Sequence, residues 1–266
     1  MGKGLKKLNP TSSVSQTSIS LTGTAVPGAL DRHTGISGFN QEQYSRARVI
    51  CVGAGGLISN IAPALVRKGI GSITLLDPDE VEASNLNRQR FYVEDVGQNK
   101  AIALARHLQR ECTFPTRITA LALSIEKAIG IGANFDCDVA ICGVDNNRAR
   151  ITAAEHFRSR RIPVIFVAVS AQADHGYAFV QGSSGPCFGC LFPDASEDQT
   201  FPCPGAPAMS DILQLIGAVG VYAVDTVISE RCRDWQYRDV WLPNASMDGA
   251  RAVFVRNDCP LDITHQ

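Results

Sequence analysis

The sequence predicts an α/β fold of the Rossmann-like type, in which a mainly parallel sheet carries helices on both faces. Between residues 48 and 169, short apolar runs alternate with amphipathic segments, which is the order of consecutive strand–helix–strand units. The first apolar run ends in a glycine turn, Gly53-Ala-Gly55-Gly56, and the second run ends in Asp77. Because loops at the carboxyl ends of parallel strands form the binding sites of such sheets, we expect both features to lie in one site.

The remaining elements of this region follow from the spacing of apolar residues. Between residues 98 and 111 they recur with helical periodicity, so this segment is predicted to be a helix. Continuous apolar runs predict strands that are buried on both faces. The further predicted elements are strands at 117–124, 138–142 and 163–169 and a helix at 149–160.

The two ends of the chain differ from this pattern. Residues 1–28 are rich in Ser, Thr, Gly and Lys and are predicted to be a flexible tail, which leaves 29–266 as one domain. Residues 193–207 are rich in Pro, Asp, Ser and Gly, and a loop of that length is usually functional or disordered. Residues 209–230 predict a long buried helix, and residues 239–243 and 251–256 predict short closing antiparallel strands.

Composition argues against several classes of partner. The 266 residues have a formal net charge of −1, which gives no electrostatic reason to expect nucleic acid or an anionic membrane. No uninterrupted apolar stretch reaches the roughly 18 residues that a spanning helix needs. The chain has nine cysteines and no recognisable N-terminal export signal, so we expect the cytoplasm, where cysteines serve metals or catalysis more often than crosslinks.

The glycine turn is suited to binding phosphate. Its glycines leave no side chains in the way, so backbone N–H groups at the start of the following helix can approach a phosphate group. The dinucleotide fingerprint G-x-G-x-x-G needs glycine at its sixth position, where this chain has Ile58. Asp77 is nevertheless well placed to accept hydrogen bonds from ribose hydroxyls. The pattern predicts a nucleotide site, but not that of a redox dinucleotide.

The residues that follow Asp77 favour a triphosphate. A dehydrogenase has no need of polar and cationic side chains directly after its ribose-binding Asp. This chain places Asn85-Leu-Asn-Arg88-Gln89 there, and Lys100 follows in Gly-Gln-Asn-Lys. The cations can compensate the charge of a triphosphate, and the amides can orient phosphate and ribose oxygens.

These segments resemble the ThiF/MoeB/HesA family, the bacterial relatives of the ubiquitin-activating enzymes. The matching pattern is G-x-G-G, then D-x-D-x-V-x-x-S-N-L-x-R-Q, then a Lys after G-Q, then Asp145 in Cys-Gly-Val-Asp-Asn-Asn-x-x-Arg150. The resemblance extends from about residue 29 to the C-terminus, and the S-N-L-x-R-Q segment is highly specific. One difference is that family members usually have glycine where this chain has Ile58.

The resemblance implies a homodimeric adenylyltransferase that uses ATP to activate the C-terminal carboxylate of a small ubiquitin-like or sulfur-carrier protein. A carboxyl group with a pKa of about 4 is already ionised at pH 7, so the reaction needs no general base. It needs positive charge around the phosphates and accurate positioning of two anions. Arg88 and Lys100 would supply charge within the chain, Arg32 would reach the ATP of the neighbouring subunit, and Asp145 would be an oxygen ligand for Mg²⁺.

A cysteine pair predicts a metal site in the C-terminal part of the chain. Cys187 and Cys190, in Gly-Pro-Cys-Phe-Gly-Cys, form a CxxC knuckle suited to tetrahedral zinc. Family members usually complete the site with a second CxxC, where this chain has Cys259 and no fourth cysteine. Asp262 occupies the expected spacing and His265 is the chemically better ligand, so both are candidates. A knuckle without metal is the alternative.

Cys203 lies in the irregular stretch between this knuckle and the predicted long helix. Relatives that bond covalently to their carrier place a reactive thiol at about this position, and a thiol in an exposed polar loop is chemically available. Cys203 is therefore a candidate nucleophile. An incidental loop cysteine is the alternative.

Two other functions remain open at this point. One is an adenylating enzyme that uses the same ATP site on a peptide or tRNA-linked carboxylate, although relatives that act on tRNA generally lack the zinc knuckle. The other is a non-catalytic nucleotide-binding scaffold subunit. The presence of Arg88, Lys100 and Asp145 counts against a scaffold.

Overall fold

A computed structural model of the protein describes residues 17–195, 207–229, 231–244, 246, 252–261 and 263–265. Within these residues the chain forms one eight-stranded sheet and seven α-helices. The strands are β1 (Ser18–Thr22), β2 (Arg48–Val52), β3 (Ser72–Leu76), β4 (Arg117–Leu121), β5 (Val139–Cys142), β6 (Val164–Val169), β7 (His175–Gln181) and β8 (Tyr237–Trp241). The helices are α1 (Gln41–Arg46), α2 (Gly56–Arg67), α3 (Lys100–Glu111), α4 (Ile125–Gly130), α5 (Asn147–Ser159), α6 (Phe188–Leu191) and α7 (Ser210–Ile228).

The sheet has the strand order β1-β4-β3-β2-β5-β6-β7-β8. Its five central strands, β4, β3, β2, β5 and β6, are parallel to one another. The outer strands β1, β7 and β8 each pair antiparallel with their neighbour. The predicted mainly parallel Rossmann-like sheet is therefore confirmed, and the carboxyl ends of β2, β3 and β5 lie side by side at one edge.

Helices cover both faces of the sheet, as predicted. Successive residues of a strand point to opposite faces, and accordingly Val49 and Cys51 of β2 belong to one apolar cluster while Ile50 and Val52 belong to the other. The first cluster includes buried residues of α2, α3 and α7, and the second includes those of α4, α5 and α6. The strand residues are apolar throughout because both sides are buried.

The structure corrects two sequence predictions. Part of the tail predicted over residues 1–28 is a strand, because Ser18–Thr22 pairs with β4 and its alternate residues Ile19 and Leu21 pack against the core. The strand predicted at 251–256 is wrong, since residues 252–256 have no regular secondary structure and Phe254 is exposed. Local composition does not reveal whether a distant strand edge is available for pairing.

The long helix predicted at 209–230 is confirmed as α7. By length and composition alone it is the one helix of the described residues that is apolar enough to cross a membrane. In the fold it packs against α2 and β6, and residues such as Ile212, Ile216 and Val224 are fully buried. Its apolar character is therefore that of a core helix.

Candidate active site

A cavity of about 750 Å³ opens at the carboxyl ends of the central strands. The loops after β2, β3, β4 and β5 line it, which is the position expected for a ligand site of an open parallel sheet. Eight of the residues that the sequence predicted for the site line this cavity. They are Gly53, Gly55, Gly56, Asp77, Arg88, Gln89, Lys100 and Asp145.

The glycine turn joins β2 to α2 at the base of the cavity. Gly53 has φ +95°, a left-handed conformation that favours glycine, and its N–H donates to Leu76 O at 2.7 Å. A Cβ there would lie 3.1 Å from Val144 Cγ1. Within the described residues no side chain caps α2 at Gly55, so its first N–H groups are available to an anion in the cavity.

Ile58, at the sixth position of the glycine pattern, is fully buried in the first turn of α2. It packs against Gly143 at the end of β5, where a Cβ would lie 2.9 Å from Ile58 Cγ1. The space that a small residue in α2 would leave is thus filled by Ile58, and the missing side chain at Gly143 makes room for it.

Asp77, which directly follows β3, connects this strand to the glycine turn. Its Oδ2 accepts from Ala54 N at 2.6 Å, its Oδ1 accepts from Asp79 N at 2.8 Å, and the residue is 6% exposed. Burial raises the pKa of this carboxyl to about 6, against the opposing charge of Lys100 and the two backbone donors. Each carboxylate oxygen has a second lone pair, which suits Asp77 to accept hydrogen bonds from two neighbouring hydroxyls.

Two cations and an amide line the same cavity as the glycine turn. Lys100 Nζ donates to Asp79 Oδ2 at 3.0 Å, and its side chain is 13% exposed. Arg88 Nη1 donates to Ser84 O at 2.6 Å, which holds the guanidinium at the cavity wall. Gln89 Oε1 is buried without a hydrogen-bond partner in the described part of the chain. A buried acceptor left unsatisfied beside a cavity fits a site that a polar ligand completes.

Asp145 lies on the loop between β5 and α5. The next residue, Asn146, caps α5 by accepting from Ala149 N at 2.8 Å. Arg150 donates from Nη2 to Val144 O at 2.8 Å, so one turn of α5 folds back on the loop that presents Asp145. Both contacts fix the loop at the cavity edge.

Two of the described residues that were predicted for the site do not line the cavity. Asn85 is buried, and its Oδ1 accepts from Glu82 N at 3.0 Å while its backbone oxygen accepts from Gln89 N at 2.9 Å. It builds the turn that presents Arg88 and Gln89. Arg32 is exposed in the 3₁₀ turn Asp31–His33, before α1.

Sequence reasoning missed other parts of the cavity wall. Ser124 and Glu126 at the start of α4 line it, and Ser124 caps that helix by accepting from Lys127 N at 3.3 Å. Their place at the end of a predicted strand was a usable signal. Apolar and aromatic residues also form a wall of the cavity, and no sequence motif pointed to them. The residues of this apolar wall are Tyr177, Phe188, Leu191 and Phe192.

A separate cluster brings together Cys187, Cys190, Cys259 and His265, whose potential ligand atoms all lie within 4.8 Å of one another. Cys187 Sγ is 3.4 Å from Cys259 Sγ, and Cys190 Sγ is 3.2 Å from His265 Nε2. Three thiols and an imidazole around one point fit a tetrahedral metal site. Asp262, the other candidate for the fourth ligand, lies outside the described residues, as does Cys203.

Comparison of the sequence with known protein families agrees with the geometry of the site. A sequence profile of the ThiF family matches residues 30–238, most of the chain. The chain belongs to the ThiF family. The family resemblance that the motifs indicated is therefore confirmed.

Curated relatives of this ThiF family chain include adenylyltransferases. It is 34% identical over 164 residues to the sulfur carrier protein adenylyltransferase of Thermus thermophilus, an alignment that covers 58% of each chain. It is 29% identical over 226 residues to the sulfur carrier protein ThiS adenylyltransferase of Bacillus subtilis, covering 83% of this chain and 66% of that protein. The chain thus spans between half and two thirds of these two relatives.

Solved structures show the same fold. The chain resembles Escherichia coli MccB crystallised with ATP, with a TM-score of 0.67 and 20% identity, over 83% of this chain and 67% of that one. MccB crystallised with MccA-N7isoASN gives a TM-score of 0.70 and 19% identity, over 83% and 68%. At this identity the likeness concerns the architecture of the ThiF family fold.

Proposed function

We propose that this protein adenylates the C-terminal carboxylate of a small ubiquitin-like or sulfur-carrier protein, using ATP and releasing pyrophosphate. The observation that carries the proposal is the cavity at the carboxyl ends of β2, β3 and β5. It gathers a glycine turn, a buried carboxylate and two cations from segments distant in the chain. The names of the curated relatives support the same reaction.

Each end of the nucleotide has a partner in this arrangement. Asp77 accepts hydrogen bonds from the ribose hydroxyls, and the N–H groups at the start of α2 face the phosphates. Arg88 and Lys100 compensate the charge of the triphosphate, so that a carboxylate can approach the α-phosphorus opposite the departing pyrophosphate. The attacking carboxylate is already ionised, so no residue of the cavity has to remove a proton.

Asp145 would hold Mg²⁺ at the phosphates. Its carboxylate is the type of hard oxygen ligand that Mg²⁺ takes together with phosphate oxygens, and its loop is fixed by Asn146 and Arg150. The metal would neutralise charge that develops on the leaving pyrophosphate.

The apolar wall of the cavity would receive the carrier. Tyr177, Phe188, Leu191 and Phe192 offer an apolar surface in the same cavity as the proposed nucleotide site. If the flexible C-terminal tail of the carrier lies along this wall, the terminal carboxylate of the carrier would approach Asp145 and Lys100. The apolar wall also excludes water, which would otherwise hydrolyse the acyl-adenylate.

The cluster of three cysteines and His265 would hold one zinc ion in a structural role, because four protein ligands close the coordination shell.

Three further points belong to the proposal, and none of them is based on a contact among the described residues. The protein acts as a homodimer in which Arg32 reaches the partner's ATP, Cys203 bonds covalently to the carrier, and the reaction takes place in the cytoplasm.

Carrier-dependent ATP–pyrophosphate exchange tests the proposed reaction. Purified protein is incubated with ATP, Mg²⁺, labelled pyrophosphate and a small carrier that ends in Gly-Gly, or with the same carrier lacking its last glycine. We expect exchange only with the intact carrier, and Asp145→Ala should lower it by roughly 100-fold or more because the triphosphate charge is left uncompensated. Asp136→Ala, which changes an exposed carboxylate before β5, is the matched control. Undiminished exchange in Asp145→Ala would remove Asp145 from the mechanism.

A further inference from the structure

Arg158, near the end of α5, is a buried arginine outside the cavity. It is 5% exposed, and its guanidinium donates to three backbone carbonyls: Gly185 O at 3.0 Å, Thr264 O at 3.1 Å and Pro186 O at 3.2 Å. Burying a guanidinium is costly unless its donors are satisfied and its charge is compensated. The three carbonyls satisfy donors on Nη1 and Nη2, while Nε has no partner within the described residues, and the carbonyls carry no full charge.

The carbonyls belong to the two segments that bring the metal ligands together. Gly185 and Pro186 directly precede Cys187, and Thr264 directly precedes His265. The same segments are joined by a hydrogen bond from Gly185 N to His265 O at 3.1 Å. One guanidinium therefore bridges two chain segments that are far apart in sequence and ties both to α5.

The negative charge that would balance the guanidinium belongs to the metal cluster itself. Three thiolates, a neutral imidazole and one Zn²⁺ leave one net negative charge in a largely buried site. Arg158 donates to the carbonyls of Gly185, Pro186 and Thr264, which lie within two residues of the ligands Cys187 and His265. The positive charge of the guanidinium therefore lies next to the negative charge of the cluster.

We infer that Arg158 is a positioning residue of the metal centre, which clamps the segments of Cys187 and His265 and balances the negative charge of the loaded site. This inference rests on the zinc occupancy proposed above. Its role concerns retention of the metal. Arg158 touches neither the cavity nor the reacting groups.

Zinc release from the purified protein tests this role. Wild type, Arg158→Met, Arg158→Lys and the control Arg160→Met, an exposed arginine just beyond the end of the same helix, are mixed with excess of a coloured zinc chelator. Zinc content beforehand is measured by elemental analysis. Arg158→Met should release zinc about 10- to 100-fold faster than wild type. Arg158→Lys, which keeps the charge but lacks the planar fork of donors that spans the two segments, should fall between the two, and Arg160→Met should match wild type.

Cobalt substitution separates a metal-site role from general destabilisation. Co²⁺ is exchanged into wild type, Arg158→Lys and Arg160→Met, and the ligand-field and thiolate charge-transfer bands are recorded. The bands should shift in Arg158→Lys and stay unchanged in Arg160→Met, since only the first alters the surroundings of the ligands. If Arg158→Met does not fold, Arg158→Lys carries both measurements.

The outcomes are distinct. A wild type that contains zinc, with wild-type release rates and cobalt spectra in Arg158→Lys, overturns the role of Arg158 and leaves the zinc site standing. A well-folded wild type without zinc overturns both proposals.

Discussion

The carboxylate of Asp77 accepts a hydrogen bond from the backbone N–H of Ala54 at 2.6 Å. Ala54 lies inside the glycine turn and Asp77 ends the neighbouring strand β3, so this bond fixes the distance between the proposed ribose site and the proposed phosphate site. The same carboxylate is buried, and burial raises its pKa to about 6.

The raised pKa of Asp77 predicts how stability depends on pH. Between the ordinary pKa of 3.8 and about 6, the folded protein retains a proton that the unfolded chain has released. The contribution of Asp77 to the free energy of unfolding is therefore fully present below pH 4 and is lost as the pH rises through 6. The loss amounts to roughly 1 to 3 kcal/mol. Urea unfolding of wild type and Asp77→Asn from pH 4 to 7 should show this loss in wild type only. The exposed-residue variant Asp31→Asn should follow wild type, and parallel curves for wild type and Asp77→Asn would contradict the prediction.

The contact between Ile58 and Gly143 predicts an energetic coupling. Gly143→Ala places a Cβ 2.9 Å from Ile58 Cγ1, and we expect it to cost about 1 to 3 kcal/mol of unfolding free energy. In the double variant with Ile58→Ala the clash is gone, so the combined loss should be smaller than the sum of the single losses. Urea unfolding measures all four proteins. Gly130→Ala, where a Cβ would meet nothing within 4 Å, is the control, and additive losses would argue against the coupling.

The proposed action of Arg32 across a dimer interface predicts complementation. Arg32→Ala and Asp145→Ala should each be inactive in ATP–pyrophosphate exchange. Mixed dimers of the two should regain part of the activity, because one intact site can assemble from two defective chains. Verified mixed dimers without any regain would mean that Arg32 acts within its own chain or not at all.

The cysteine and histidine cluster predicts about one zinc ion per chain in protein purified without added metal. His265→Ala should lose the ion and unfold at lower temperature, whereas Asp262→Ala should retain it, since His265 Nε2 lies 3.2 Å from Cys190 Sγ. Elemental analysis and thermal unfolding measure both effects. Zinc retained in His265→Ala but lost from Asp262→Ala would assign the fourth ligand to Asp262.

The proposed covalent role of Cys203 separates two steps of the reaction. Cys203→Ala should retain ATP–pyrophosphate exchange but form no thiol-sensitive conjugate with the carrier on a non-reducing gel. The flanking residues Phe-Pro-Cys-Pro-Gly provide no adjacent cation to lower the thiol pKa, so the conjugate is expected to form slowly. If wild type forms no conjugate, or if Cys203→Ala still does, the adenylate passes to a separate acceptor.

The sequence by itself determined the parts of this protein that depend on local chemistry. The glycine turn, the strand-ending Asp77 and the spacing of Arg88, Gln89 and Lys100 follow from residue type and order, and all of them line the cavity. Apolar runs and helical periodicity likewise predicted the central strands and the helices α3, α5 and α7, because each such segment has to bury its own apolar residues.

Only the tertiary structure decided what depends on contacts between distant residues. Ser18–Thr22 is a strand because the edge of β4 is there to receive it, and Ile58 is tolerated because Gly143 leaves it space.

The roles of individual polar residues also depend on the tertiary structure. Asn85 is of a residue type that often binds ligands, yet its side-chain amide is used by the turn that presents Arg88. His265 enters the metal cluster because the C-terminal segment folds back onto the knuckle, where Arg158 holds both segments. No spacing rule predicts such contacts, because their energy arises when the chain closes long loops and buries charge in one place.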